Sequence, residues 1–145
     1  MNFGKIALAA IGAFVTYFVL GGLMFMVLPT LRNQYAKYPA VYRSQEGIMS
    51  VMPAGMAAMF VAMVVLAVLY AMLYRGVSGL IQGAHFGAHF GALIGIFAIC
   101  AFVVHNWVNL NIGLALTMQQ AVAYFIEWLA VGIVIGLIYQ PALPR

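Results

Sequence analysis

The chain of 145 residues is 67% hydrophobic and only 6% charged, whereas a soluble globular domain carries ~25% charged residues. This composition, with a mean hydropathy of +1.10, excludes a soluble domain and predicts an integral membrane protein whose first partner is the lipid bilayer. The net charge of +4 does not indicate a nucleic-acid partner, because every lysine and arginine lies at the end of an apolar segment or between two of them.

Four apolar segments are each long enough to cross ~30 Å of hydrocarbon as a helix. The first follows Lys5 but is longer than the apolar core of a signal peptide and ends without a cleavage pattern, so we expect a permanent span. The sequence therefore predicts an all-α fold, a four-helix membrane bundle that forms a single domain over residues 1–145. The predicted spans cover about residues 6–28, 54–74, 80–104 and 118–139.

The connections predict how the spans begin and how they are arranged. Pro53 suits the first turn of the second span, and Thr117 with Gln120 forms a capping-box pattern at the start of the fourth. Residues 29–52 hold most of the polar side chains, and three tyrosines there share one face of a predicted short helix at the headgroup level. An even number of spans places both termini on the same side, while equal numbers of basic residues on the two sides leave the orientation open.

Glycines recur at every fourth position along the third span. In a bilayer the backbone must satisfy its own hydrogen bonds, so the helix forms despite them, and the bare ridge lets another helix approach closely. The fourth span has a shorter pattern of the same kind, so we expect these two helices to be the closest pair. The predicted packing residues are Gly79, Gly83, Gly87, Gly91, Gly95, Gly132 and Gly136.

Glu127 lies close to the middle of the fourth predicted span. A carboxylate at that depth costs ~2.5–3.5 kcal/mol on insertion scales, so we expect its side chain to face the interior of the bundle. Two interpretations stay open. Glu127 is either a proton relay, an ion site or the partner of a cation, or it is a neutral acid that joins two helices by a hydrogen bond.

His85 and His89 are four residues apart and share one face of the third helix. Two histidines at this spacing can hold one metal ion, and the flanking glycines leave room for a flat tetrapyrrole. A third ligand must come from elsewhere, and Glu127 is the acid that a neighbouring fourth span would supply. The sequence requires no cofactor, so the alternative to a metal or tetrapyrrole is a pair of histidines that hydrogen-bond across helices.

The order of the segments resembles small four-span bacterial membrane proteins. The shared features are the glycine at every fourth position of the third span, a turn rich in Asn and Trp, and a fourth span that contains FIEW at residues 125–128. This resemblance implies a four-helix fold, and we expect the bacterial inner membrane as its location. It implies no particular activity.

A second resemblance, to the membrane-associated glutathione and eicosanoid enzymes, is carried by VYRSQ at residues 41–45 and by Pro53. It implies glutathione binding at Arg43 alone, since Gly47 and Ser50 replace the Asn and Glu of that family.

Most of the distinctive sequence predicts packing surface, and soluble-enzyme motifs such as a phosphate loop or a nucleophile elbow are missing. This favours a non-enzymatic structural or accessory subunit, or a scaffold, that associates with itself as a homo-oligomer or with other membrane subunits. One alternative is a metal-, pigment- or proton-relay protein that uses His85, His89 and Glu127. The other is a glutathione-dependent membrane enzyme.

Overall fold

Four long helical stretches dominate the computed structural model, which describes residues 1–27, 29–74 and 79–140. All four are long and apolar enough to cross a membrane, and the described residues contain no strand, so the predicted all-α four-helix fold is confirmed. Leu28, the last residue of the first predicted span, lies outside the described residues, and so do the basic residues Arg75 and Arg145. The elements are α1 (Phe3–Val27), α2 (Pro29–Ala36), α3 (Gln45–Leu73), α4 (Leu80–Ala98), a π-helical segment (Ile99–Val104), α5 (His105–Asn109) and α6 (Leu114–Ile138).

The second span begins earlier than predicted, at Gln45 instead of residue 54. Ser44 caps it, because its hydroxyl oxygen accepts a hydrogen bond from the amide of Gly47 at 3.2 Å, a common helix start. Pro53 lies inside α3 and not in its first turn. Its missing N–H leaves the carbonyl group of Met49 without the usual helical donor, and Met49 is exposed.

The fourth span also begins earlier than predicted, because the capping box does not form. Gly113 is the residue before α6, and the hydroxyl group of Thr117 donates back to the carbonyl oxygen of Gly113 at 3.2 Å. The side chain of Gln120 bonds instead to Tyr35 and Tyr42, which precede α3. The hydroxyl of Thr117 therefore bonds within the first turn, as a Ser or Thr inside a helix does.

The third span is longer than predicted and continues without a break from α4 through the π-helical segment to Asn109. A π-helical turn is an insertion into a regular helix, so the residues after Ala98 face different directions from those that a continuous α-helix would give them.

Helix α6 is the centre of the bundle, since it packs along both α4 and α1. Helix α3 packs along α1, where Phe14 meets Phe60 with ring centroids 5.5 Å apart. At the end of the bundle that holds residue 2, the Lys5 ammonium group donates to the carbonyl oxygen of Gln140. α1 and α6 are antiparallel neighbours, and they are in contact from this end as far as Gly21 and Glu127.

Helices α4 and α6 form the most extensive contact in the molecule. A Cβ atom added to Gly87 would overlap the carbonyl oxygen of Gly132, and one added to Gly91 would overlap that of Trp128. Gly83 stands in the same relation to Gly136. The two backbones touch at these levels, where weak Cα–H···O contacts supplement dispersion in the absence of a hydrophobic driving force.

Two of the predicted packing glycines differ from the others. At Gly95 the nearest atoms are side-chain atoms of Phe125 and Trp128 at 3.4 Å, so the helices have begun to separate. Gly79 precedes α4 with φ 101°, a backbone conformation that favours glycine. A Cβ atom there would meet no described atom within 4 Å, so Gly79 serves the turn into α4 and not the contact with α6.

Candidate functional site

His85 and His89 lie on the outer face of α4. Both side chains are exposed, and they border a shallow groove with Ile81, Gln82 and Phe86. The Nδ1 atom of His89 lies 2.9 Å from the carbonyl oxygen of His85, so the backbone occupies one of its ring nitrogens. Within the described ranges, no three His, Cys, Asp or Glu side chains are grouped as a metal site would require.

The structure does not bring Glu127 to this histidine pair. Each histidine is two residues from a glycine of the α4–α6 contact, and two residues correspond to ~200° around a helix. Because α6 lies on the glycine side of α4, the histidines point away from α6 and from every side chain on it. The three residues that were expected to act together therefore belong to two separate places.

Glu127 is instead buried against α1. Its side chain is 7% exposed, and its Oε1 atom lies 3.0 Å from the position that a Cβ atom on Gly21 would take. Within the described part of the chain, its carboxyl group makes no hydrogen bond and no ion pair. Among the described residues, Glu127 therefore does not join two helices by a hydrogen bond.

The Glu127 side chain lines a cavity of about 1070 Å³. The cavity lies between α1, α6, the first turns of α3 and the connecting segment, by which we mean residues 32–44. Its volume is at the upper end of the ~300–1,000 Å³ that small-molecule sites occupy. Its walls are largely apolar or aromatic, with Phe25, Tyr42, Met49, Met52 and Tyr124 among them.

The cavity has an inner end and an outer end. Gln120, Tyr124 and Glu127 share one face of α6, and Gln120 is two turns, ~10.5 Å along the helix axis, from Glu127. Exposed Arg32 and Arg43 of the connecting segment mark the outer end. The cavity therefore extends from the loop end of the bundle to a carboxyl group near the middle of α6.

Gln120 ties the connecting segment to α6. Its Nε2 atom donates to the hydroxyl oxygen of Tyr35 at 2.8 Å and to that of Tyr42 at 3.3 Å, and the two tyrosine rings meet edge to face with centroids 4.7 Å apart. Since both hydroxyl oxygens act as acceptors here, their own protons remain available to a molecule in the cavity. Burial raises the pKa of the Tyr35 hydroxyl above its ordinary value, which keeps Tyr35 a neutral donor.

Tyr38 provides a second attachment of the connecting segment. Its hydroxyl oxygen accepts a hydrogen bond from the amide of Gly113 at 2.9 Å. The rings of the segment also pack on a small apolar cluster formed by Ile112 and Leu116. The prediction that the three tyrosines share one helix is wrong, because α2 ends at Ala36 and only Tyr35 lies in it. All three still hold the segment over the beginning of α6, and Tyr35 and Tyr42 border the cavity.

Sequence reasoning identified Glu127 but not the groups around it. A signal was present, because Gln120, Tyr124 and Glu127 recur at spacings of four and three along an otherwise apolar helix and so share a face. The sequence did not indicate the second half of the site, since Tyr35 and Tyr42 lie about eighty positions from Gln120 in the chain. Comparisons of this chain with protein-family models, with curated proteins and with solved structures match none of them.

Proposed function

We propose that this small membrane protein binds an elongated amphipathic small molecule in the cavity between α1, α6 and the connecting segment. The observation that carries the proposal is Glu127 at the inner end of a cavity of about 1070 Å³. This residue is 7% exposed, and its carboxyl group has no hydrogen bond or ion pair among the described residues. Ligand sites combine apolar walls with a few polar groups that fix the orientation of the ligand, and this cavity has that character.

The polar groups are distributed along the length of the cavity. Glu127 lies at the inner end, the Gln120–Tyr35–Tyr42 group lies two turns farther out, and Arg32 and Arg43 lie at the rim. A molecule with an apolar body and polar groups at one or both ends fits this distribution. The exposed rim lets the ligand enter from the membrane surface.

The contact between α4 and α6 does not support a scaffold built on the glycines. That surface is filled by another helix of the same chain, so it is not free for a second subunit. A glutathione-dependent enzyme has weak support as well. Arg43 is at the cavity, but a single exposed cation does not activate a thiol.

A cavity-filling substitution tests the proposal. Ala123 lines the cavity between Gln120 and Glu127, so Ala123→Phe should fill it, whereas Val122→Phe adds the same ring to an exposed neighbour on α6. The probes are three dodecyl amphiphiles with different head groups, namely dodecanoate, dodecanol and dodecyltrimethylammonium. Thermal unfolding is measured for the protein in lipid nanodiscs.

We expect at least one probe to raise the unfolding temperature of the wild type and of Val122→Phe but not that of Ala123→Phe. A ligand at ~100 times its dissociation constant stabilises the folded state by ~2.7 kcal/mol, which is a measurable shift. The proposal is wrong if no probe acts on the wild type, or if Ala123→Phe responds as Val122→Phe does.

A further inference from the structure

We infer that the inner end of this cavity recognises an organic ammonium group, with the carboxylate of Glu127 as its counter-ion and tyrosine rings as its walls. This inference rests on the proposed ligand cavity and names the chemical class of the ligand. It follows from three features of the inner end. The carboxyl group has no ion pair, the bare backbone of α1 lies beside it, and aromatic side chains surround it.

The carboxyl group of Glu127 has no positive charge opposite it. Glu127 is the only acidic residue that lines the cavity in the described part of the chain. The two arginines of the lining are exposed at the outer end, beyond the Gln120 group, and neither is within ion-pair distance of Glu127. In a low-dielectric site an unpaired carboxylate gains most from a cation that enters with the ligand.

The carboxyl group lies against a part of α1 that carries no side chain. Gly21 faces Glu127 across the α1–α6 contact, and its missing Cβ atom would lie 3.0 Å from Oε1. Any larger residue at position 21 would press on the carboxyl group. The carboxyl group therefore packs against bare backbone on its α1 side, and Gly21 and Glu127 both line the cavity at this level.

Aromatic rings enclose this inner end. Tyr17 is one turn beyond Gly21 on α1, away from the outer end, and Tyr124 is about one turn from Glu127 on α6, towards it. Both line the cavity, and the Tyr17 ring is supported by Trp128 at a centroid distance of 5.4 Å. A cation next to such rings gains from their quadrupoles, by ~2 kcal/mol or more where it is desolvated. A carboxylate between aromatic rings suits an ammonium group better than it suits an anion or an uncharged head group.

The same probes distinguish this inference from the proposed cavity. Dodecyltrimethylammonium and dodecanol share a chain and differ in the charge of the head group. We expect the wild type to bind the ammonium probe at least ~tenfold more tightly than the alcohol. We expect Glu127→Gln, which keeps the shape of the side chain, to remove that preference while its affinity for dodecanol changes less than ~threefold.

Tyr17 provides a second variant that does not alter the acid. Tyr17→Phe keeps the ring and should retain the preference for the ammonium probe, whereas Tyr17→Leu should reduce it by ~threefold or more. If the wild type binds dodecanol or dodecanoate as tightly as the ammonium probe, and Ala123→Phe abolishes that binding, the cavity is a ligand site but the ammonium inference is wrong. Retention of the full preference in Glu127→Gln would also overturn the inference.

Discussion

Glycine residues set how closely the two most extensively packed helices approach each other. Gly87 faces the carbonyl oxygen of Gly132, and the tight contact extends one turn in each direction to Gly83 and Gly91. Even a methyl group does not fit at these positions, because the atoms opposite belong to the backbone and cannot rotate away. A larger residue here therefore requires one of the two helices to shift as a whole.

Substitution of a single glycine tests this contact. We expect Gly87→Ala to destabilise the protein by ~1–3 kcal/mol through overpacking, and to lower its midpoint of unfolding in a denaturing detergent titration. The control is Gly22→Ala on α1, where a Cβ atom would meet nothing described within 4 Å and where alanine favours the helix. Equal midpoints for the two variants would show that α4 and α6 do not meet backbone to backbone.

The depth of Glu127 was predictable from the sequence, but its surroundings were not. Its position along α6 follows from the rise per residue, and its burial follows from the cost of a charge in hydrocarbon. Which helix it faces depends on the rotation of α6 about its own axis, which the neighbouring helices determine. The position of the histidines was predictable, in contrast. Their spacing from the glycines of α4 in the sequence sets the angle between them around the helix, and this angle places the histidines on the face opposite the glycines.

At the scale of the elements, hydropathy located all four spans but not their ends. The apolar run of α3 begins after Pro53, yet the helix begins at Gln45 because Ser44 caps it. The first turns of α3 are polar enough to escape a hydropathy criterion, although they belong to the same continuous helix. The residues that this extension adds, including Gln45, Met49 and Met52, form one wall of the cavity.

The side-chain amide of Gln120 makes one of the attachments that hold the connecting segment over the beginning of α6. We expect Gln120→Leu to remove the hydrogen bonds to Tyr35 and Tyr42 and to weaken the attachment by ~1–3 kcal/mol, the cost of leaving buried groups unpaired. Hydrogen exchange of residues 32–44, followed by mass spectrometry, should become faster. This measurement reports the segment directly, whereas global unfolding does not.

The adjacent residue supplies the control for this prediction. The side-chain oxygen of Gln119 is buried and has no partner among the described residues, so Gln119→Leu removes an unsatisfied group and should leave exchange of residues 32–44 unchanged. Faster exchange in Gln119→Leu, or unchanged exchange in Gln120→Leu, would contradict the assigned attachment.

At the scale of the whole molecule, α6 packs along both α1 and α4, whereas α3 packs mainly on α1 and meets α4 through Tyr70. This arrangement predicts which helix pairs can be joined chemically. In a Cys100→Ser background, Phe14→Cys and Phe60→Cys should be linked rapidly by a short bifunctional thiol reagent, because the two native rings are in contact. The product is detected by its changed mobility after proteolysis between α1 and α3.

A neighbouring position tests the specificity of that link. Val15 is exposed on α1, about 100° around the helix from Phe14, so Val15→Cys with Phe60→Cys should react much more slowly. Equal rates for the two pairs would mean that α1 does not present the face of Phe14 to α3.

The central position of α6 has a consequence for biosynthesis. Both α1 and α4 make their most extensive contact with α6. Of the four spans, α6 is the last that the ribosome produces. Until then Gly21 of α1 and the bare glycine ridge of α4 lack the α6 residues that they contact in the folded protein. The native packing is therefore completed only when the fourth crossing docks between the first and the third.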